Sequence, residues 1–151
     1  MKFRKAELED ISELNRISLV SKRHWGYPEE WIENWMDALT LLPENIKQQQ
    51  ILIGAINSEI IGFCSITENE KQYEILHLWL LPEFIGRGYG KKLLSQTLKE
   101  FINTDKPVIV EADPNAEPFY KGQGFVTFDK IESSPPGRFL PVMKKARAYN
   151  F

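Results

Sequence analysis

The sequence predicts an α/β (α+β) fold: a mixed, mostly antiparallel central sheet flanked by helices, in the order β-αα-βββ-α-β-α-ββ. Three observations lead there. Two β-rich runs, residues 51–56 and 59–66, are separated only by Asn57-Ser58, which reads as a hairpin. Apolar residues recur at helical spacing in other stretches. A third β-rich run, 73–81, ends at Pro82 and leads through a glycine-rich turn into a helical stripe.

In chain order, residues 3–6 read as a short opening strand. From Asp10, the spacing of Ile11, Leu14 and Ile17 predicts a helix, and Pro28 followed by Glu29 and Glu30 starts a second one carrying Trp31, Ile32, Trp35, Met36 and Leu39. The hairpin and the third strand follow. After the glycine turn, Leu93, Leu94, Leu98, Phe101 and Ile102 form a helical face, and Val108-Ile109-Val110 is a short buried strand. A helix from about Asn115, a strand from Phe125 and a last strand over 139–143 complete the order.

The whole chain of 151 residues reads as one domain, with no repeat or linker to divide it. A domain of this size buries roughly two thirds of its unfolded surface. Nineteen Lys and Arg are interspersed with 21 Asp and Glu for a net charge of −2, so no basic face for nucleic acid is expected. The start of the chain has no apolar signal region and no segment is long enough to span a membrane; the expected location is the cytoplasm. The single cysteine, Cys64, fits a reducing compartment and reads as a small core residue.

The stretch Leu78-Trp79-Leu80-Leu81-Pro82-Glu83-Phe84-Ile85-Gly86-Arg87-Gly88-Tyr89-Gly90-Lys91-Lys92 carries the clearest chemistry. Glycines let a backbone turn tightly and approach a ligand, and the first N–H groups of a helix are unpaired and partly positive, so a pyrophosphate suits this turn. A magnesium-nucleotide loop would need a hydroxyl after the lysine, where Lys92 stands. A dinucleotide fingerprint needs G-x-G-x-x-G, and this loop has G-x-G-x-G. A turn that merely starts a helix remains the plain alternative.

With its flanking strand and helix, this loop resembles the acetyl-CoA loop of the GNAT superfamily of N-acetyltransferases, Q/R-x-x-G-x-G/A. Gly88 and Gly90 match the small residues, and Ile85 stands where the family usually has Gln or Arg. A second stretch, Ala116-Glu117-Pro118-Phe119-Tyr120-Lys121-Gly122-Gln123-Gly124-Phe125, is similar to the A-x-x-F-Y-x-x-x-G-F part of the family's other signature. The resemblance implies acetyl-CoA as cofactor, no metal, and pyrophosphate contacts from Gly86, Arg87, Gly88, Tyr89, Gly90 and Lys91. It implies that the backbone of Leu78, Trp79 and Leu80 holds the pantetheine as an added strand would. It adds Asn115 to the cofactor set, although Asn115 stands one residue before Ala116 where the pattern has its Asn three before.

Acetyl transfer to an amine needs a base, a polarised carbonyl and a proton for the departing thiolate. The resemblance puts the base at Glu74. Strict alternation places Glu74 on one strand face with Leu76 and Leu78, an apolar setting that raises a carboxylate's pKa; an exposed strand-start glutamate is the other reading. His77, on the opposite face, is the second choice, and a satisfied core histidine its plain alternative. The family's tyrosine falls on Tyr120, a candidate general acid or else a core aromatic. The acceptor site is expected to draw on His24, Trp25 and Tyr27 from the segment between the first two helices, with Arg138 as a carboxylate clamp. That content suits a small amine with an anionic or flat portion; aromatics stapling two helices and a solvated arginine explain it equally well. The expected partner is a small-molecule amine, met by a monomer or homodimer. A non-catalytic acyl-CoA-binding module and an acetyltransferase of protein amines are the alternatives.

Overall fold

The computed structural model describes residues 1–145. The strands are β1 (Lys2–Lys5), β2 (Gln50–Ile56), β3 (Glu59–Glu68), β4 (Tyr73–Leu80), β5 (Val108–Glu111), β6 (Val126–Glu132) and β7 (Phe139–Lys145). The helices are α1 (Ile11–His24), α2 (Glu29–Leu39), a one-turn α3 (Asn45–Gln48) that the sequence reading did not include, α4 (Tyr89–Phe101) and α5 (Glu117–Gly122). The expected element order therefore holds, with α3 added.

All seven strands form one sheet in the order β1-β2-β3-β4-β5-β7-β6, antiparallel except for β4 beside β5. Asn57 and Ser58 both adopt positive φ, the conformation a two-residue hairpin turn between twisted strands requires. One face of the sheet packs on α4 and α5 through Leu93, Leu94, Leu98 and Tyr120, with Phe125 beyond α5 in the same cluster. The other carries α1 through Leu14 and Ile17, and α2 through Ile32, Trp35 and Leu39. Cys64 is fully buried beneath α4, and burial pushes its thiol up to about 12, so it stays a protonated core group.

Two features of β4 create the site. Its parallel pairing with β5 runs only from Tyr73 to Ile75, after which the two strands part and leave one edge of residues 76–80 unpaired on that side. A parallel pair that splays opens a gap in a sheet otherwise filled by ladder hydrogen bonds. Beside that, Ile75 opposes Ile66 while His77 opposes Ser65, so Leu76 is an extra, bulged residue.

The bulge overturns the expected facing of the strand. Tyr73 and Ile75 face α4, and beyond the bulge it is Leu78 and Leu80 that do so. Glu74, His77 and Trp79 share the opposite face, under α1 and α2. Glu74 is therefore on His77's face, and not with Leu76 and Leu78 as strict alternation requires. One inserted residue inverts every later side chain.

Candidate active site

The gap between β4 and β5 widens into a cavity of about 470 Å³ that runs from the glycine turn to the α1 side of the sheet. Ile85, Gly86, Gly88, Gly90 and Lys91 line one end; Leu78, Phe119 and Tyr120 the middle; Ser21, Trp25, His77, Glu111, Asp113 and Asn115 the other end.

At the glycine end, Gly86 and Gly88 have φ of +80° and +86°, a region that costs a side-chain-bearing residue roughly 1–2 kcal/mol. Gly88 is the N-cap of α4 and offers no capping side chain, so the first-turn N–H groups have no side-chain acceptor from it. That first turn holds no acidic residue but does hold Lys91 and Lys92. Carboxylates normally favour this end of a helix, and the opposite choice is what an anionic guest needs. Gly90 is small for a different reason: a Cβ there would meet the Phe119 ring at 3.3 Å and Leu80 at 3.4 Å. The side chains of Arg87 and Tyr89 turn away from the cavity, Arg87 lying over the Phe84 and Tyr89 rings at 5.5 and 5.4 Å. Neither residue lines the cavity.

In the middle, Leu78, Trp79 and Leu80 present the unpaired edge of β4 to the cavity, with the Leu80 carbonyl already taken by the Ser21 hydroxyl. Tyr120 is 5% exposed and stacks edge-on between Phe119 and Phe125, at 5.2 and 5.3 Å. Burial, reinforced by Cys64, holds its phenol above the usual pKa, so it is protonated at neutral pH.

The α1 end separates the polar candidates. His77 lines the cavity and its Nδ1 accepts a hydrogen bond from Trp79 Nε1 at 3.1 Å, which leaves the proton of the neutral ring on Nε2. Burial lowers its pKa to about 4. The neutral ring thus keeps an N–H donor at Nε2. Glu74 is half-buried and outside the cavity wall; burial and the charge of Glu111 raise its pKa above the ordinary carboxylate range. Glu111 does line the cavity, and the sequence reading missed it.

The larger omission is a buried cluster around Asp113. Lys22 Nζ lies 2.6 Å from Asp113 Oδ2, the Tyr27 hydroxyl donates to the same carboxylate at 3.0 Å, and the Asn115 backbone N–H donates at 2.8 Å. Burial works against the charge on Asp113, but the attraction and hydrogen bond of Lys22 prevail and hold its pKa below the usual value. Asn115 Nδ2 donates to the Tyr27 hydroxyl at 3.0 Å, so Asn115 is part of this cluster as well as of the cavity wall. Arg138 stacks over Trp35 at 4.4 Å and Tyr27 at 5.2 Å. Of the four expected acceptor-site residues, Tyr27 and Arg138 meet here and Trp25 lines the cavity, whereas exposed His24 stands outside it against Trp25. Lys22, Trp35 and Asp113 were not singled out from sequence.

The profile of the family described as "Acetyltransferase (GNAT) domain" matches residues 13–145. The chain belongs to the GNAT acetyltransferases. It is accordingly an acyltransferase, and acetyl-CoA is the cofactor the family uses. An uncharacterised N-acetyltransferase of Archaeoglobus fulgidus is 26% identical over 138 residues, covering 82% of this chain and 91% of its own. The spermidine N(1)-acetyltransferase of Thermoplasma acidophilum is 30% identical over 112 residues, covering 66% and 69%. Among solved structures, the PaiA N-acetyltransferase of Thermoplasma acidophilum in complex with coenzyme A superposes with a TM-score of 0.78 at 24% identity, covering 96% of this chain and 98% of that one. The fold is shared with it. The glycine end of the cavity fits the cofactor's pyrophosphate, on the glycine conformations and first-turn charges described above.

His77 gives the acetyltransferase a pH-dependent stability. Its folded pKa, about 4, lies below the unfolded value near 6.5, so the unfolded chain binds the extra proton first. The sign is fixed by that: its contribution is complete above pH 6.5 and is lost as the pH falls toward 4, by about 3 kcal/mol over the whole window. Urea unfolding across this range should show His77→Gln with a shallower acid decline than the wild type. Parallel declines would mean that His77 titrates normally.

Proposed function

We propose that this acetyltransferase moves the acetyl group of acetyl-CoA directly onto the primary amine of a small molecule, both substrates being held together in the cavity. One observation carries the reading: a single continuous cavity joins the glycine turn, Tyr120 and the polar α1 end. Bound acetyl-CoA supplies an activated thioester; as the amine nitrogen bonds to its carbonyl carbon, the carbon–sulfur bond breaks and the thiolate leaves.

In this reading the first turn of α4 and the backbone of Gly86, Arg87, Gly88, Tyr89, Gly90 and Lys91 bind the pyrophosphate. The free β4 edge at Leu78, Trp79 and Leu80 aligns the pantetheine, and a backbone N–H there polarises the thioester carbonyl. Glu74 is the base. An alkyl ammonium has a pKa near ~10.4, and a carboxylate raised by burial and by Glu111 is a better acceptor for its proton than an ordinary one. Because Glu74 stands behind the cavity wall, the proton reaches it through water. His77 Nε2–H orients the acceptor or that water, since Nδ1 is engaged. Tyr120 gives its proton to the departing thiolate.

The spermidine relative supports an amine acceptor in general, and the cavity's volume of about 470 Å³, with Trp25 and Trp79 among its lining residues, favours a small molecule over a protein tail. The test is thiol release from acetyl-CoA with a panel of amines. Release that requires an amine and yields its N-acetyl product in equal amount supports the reading. Absence of release with every amine, beside tight acetyl-CoA binding, would instead favour a sensing module.

A further inference from the structure

The charges at the α1 end of the cavity are separated. On the sheet, Glu74 and Glu111 occupy the same face of neighbouring strands, close enough that the charge of Glu111 contributes to the shift at Glu74. Across the end of β5, Asp113 is compensated twice, by Lys22 and by Arg138, leaving a net charge of +1 on that cluster. His77, which also lines the cavity, is neutral. Of these groups Glu111 and Asp113 line the cavity; Glu74 stands behind the wall on the negative side, and Lys22 and Arg138 stand behind Asp113, where they leave one excess cation beside the cavity.

Arg138 is the cation that is not used up. Lys22 holds Asp113 at 2.6 Å and spends the rest of its surface against the Trp35, Tyr27 and Trp79 rings at 4.6, 5.1 and 5.8 Å. Among the described residues the Arg138 side chain makes only long polar contacts: 3.5 Å to Asp113, 3.4 Å to the Tyr27 hydroxyl and 3.3 Å to Ser133 Oγ. Charge-assisted bonds to a carboxylate normally close to about 2.7–2.9 Å, and a guanidinium offers five donors in a fork that matches two carboxylate oxygens. Stacking on Trp35 and Tyr27 fixes the plane of that fork, and the side chain keeps 11% of its surface open. Such an arginine is pre-organised to take an anion with little loss of side-chain freedom.

We propose that the acceptor is a small amine bearing a carboxylate, with its amine directed to the Glu74 and Glu111 side and its carboxylate held by Arg138. This rests on the acetyltransfer reading and narrows its substrate class. A polyamine satisfies the carboxylate side but sets a second cation against the Lys22–Arg138 cluster. A simple alkylamine leaves that cluster without a partner. A phosphate-bearing amine shares the anion chemistry and is separated from a carboxylate by the panel below.

The experiment compares kcat/KM of the full chain with acetyl-CoA and four kinds of acceptor: α- and ω-amino acids, their neutral amides, phosphoethanolamine, and spermidine. The amino acids should exceed their own amides by roughly 10- to 100-fold, the scale of a charge-assisted bidentate contact. Arg138→Met, which keeps an apolar stem over Trp35, should erase that preference, mainly through KM, while Arg138→Lys restores only part of it. Thermal melting of both variants checks folding. Equal losses on acid and amide in Arg138→Met, or spermidine or phosphoethanolamine surpassing every amino acid, would overturn the carboxylate assignment while leaving acetyltransfer standing. Absence of thiol release with every acceptor would overturn both.

Discussion

Tyr120→Phe is expected to slow the chemical step on the order of a hundredfold, the usual scale of general-acid assistance, while folding and acetyl-CoA affinity survive. The ring stays packed between Phe119 and Phe125. The lost hydroxyl makes no hydrogen bond among the described side chains and is not sealed from the cavity, so its removal orphans no partner. Burial and the neighbouring Cys64 keep the phenol protonated until a developing thiolate draws the proton away. The defect should therefore shrink with acyl donors whose leaving thiol is more acidic, because such a thiolate departs unaided. Packing alone produces no dependence on the leaving group. Wild-type rates with every donor would make Tyr120 a core aromatic only.

Glu74→Gln should lower turnover at neutral pH by roughly a hundredfold or more and recover partly at alkaline pH, where more of the acceptor amine is already deprotonated. Wild-type activity should instead fall in acid as Glu74, raised by burial and by Glu111, takes up its proton. Acetyl-CoA affinity should change little, since Glu74 lies away from the glycine turn. A pH–rate profile of kcat/KM for both proteins is the measurement. Unchanged turnover in Glu74→Gln together with its loss in Glu111→Gln would move the base to the residue that faces the cavity.

What could be seen in the sequence was local. Gly86 to Gly90 and the Phe119-Tyr120 pair announce themselves because a tight turn, a helix start and an aromatic step are each written in a few adjacent residues. The element order was legible for the same reason: periodicity and turn residues act over short spans. Three things were not. The bulge at Leu76 leaves no trace in an alternating pattern, and it alone moved Glu74 to the face of His77. The Asp113 cluster joins residues 91 positions apart at Lys22 and 25 apart at Arg138, so no window contains it. His24 and Tyr27 have similar chemistry three residues apart, yet the turn after α1 sends one outward and the other into the cluster.

Single-turnover mixing tests the central claim most directly. The protein loaded with acetyl-CoA is mixed with an acceptor amine and quenched in time, with product, free thiol and intact protein mass followed together. N-acetyl product and thiol should appear at one rate, only after the amine is added, with the protein mass unchanged throughout. Thiol released before the amine arrives, accompanied by a protein heavier by one acetyl group, would contradict direct transfer in the cavity between β4 and β5.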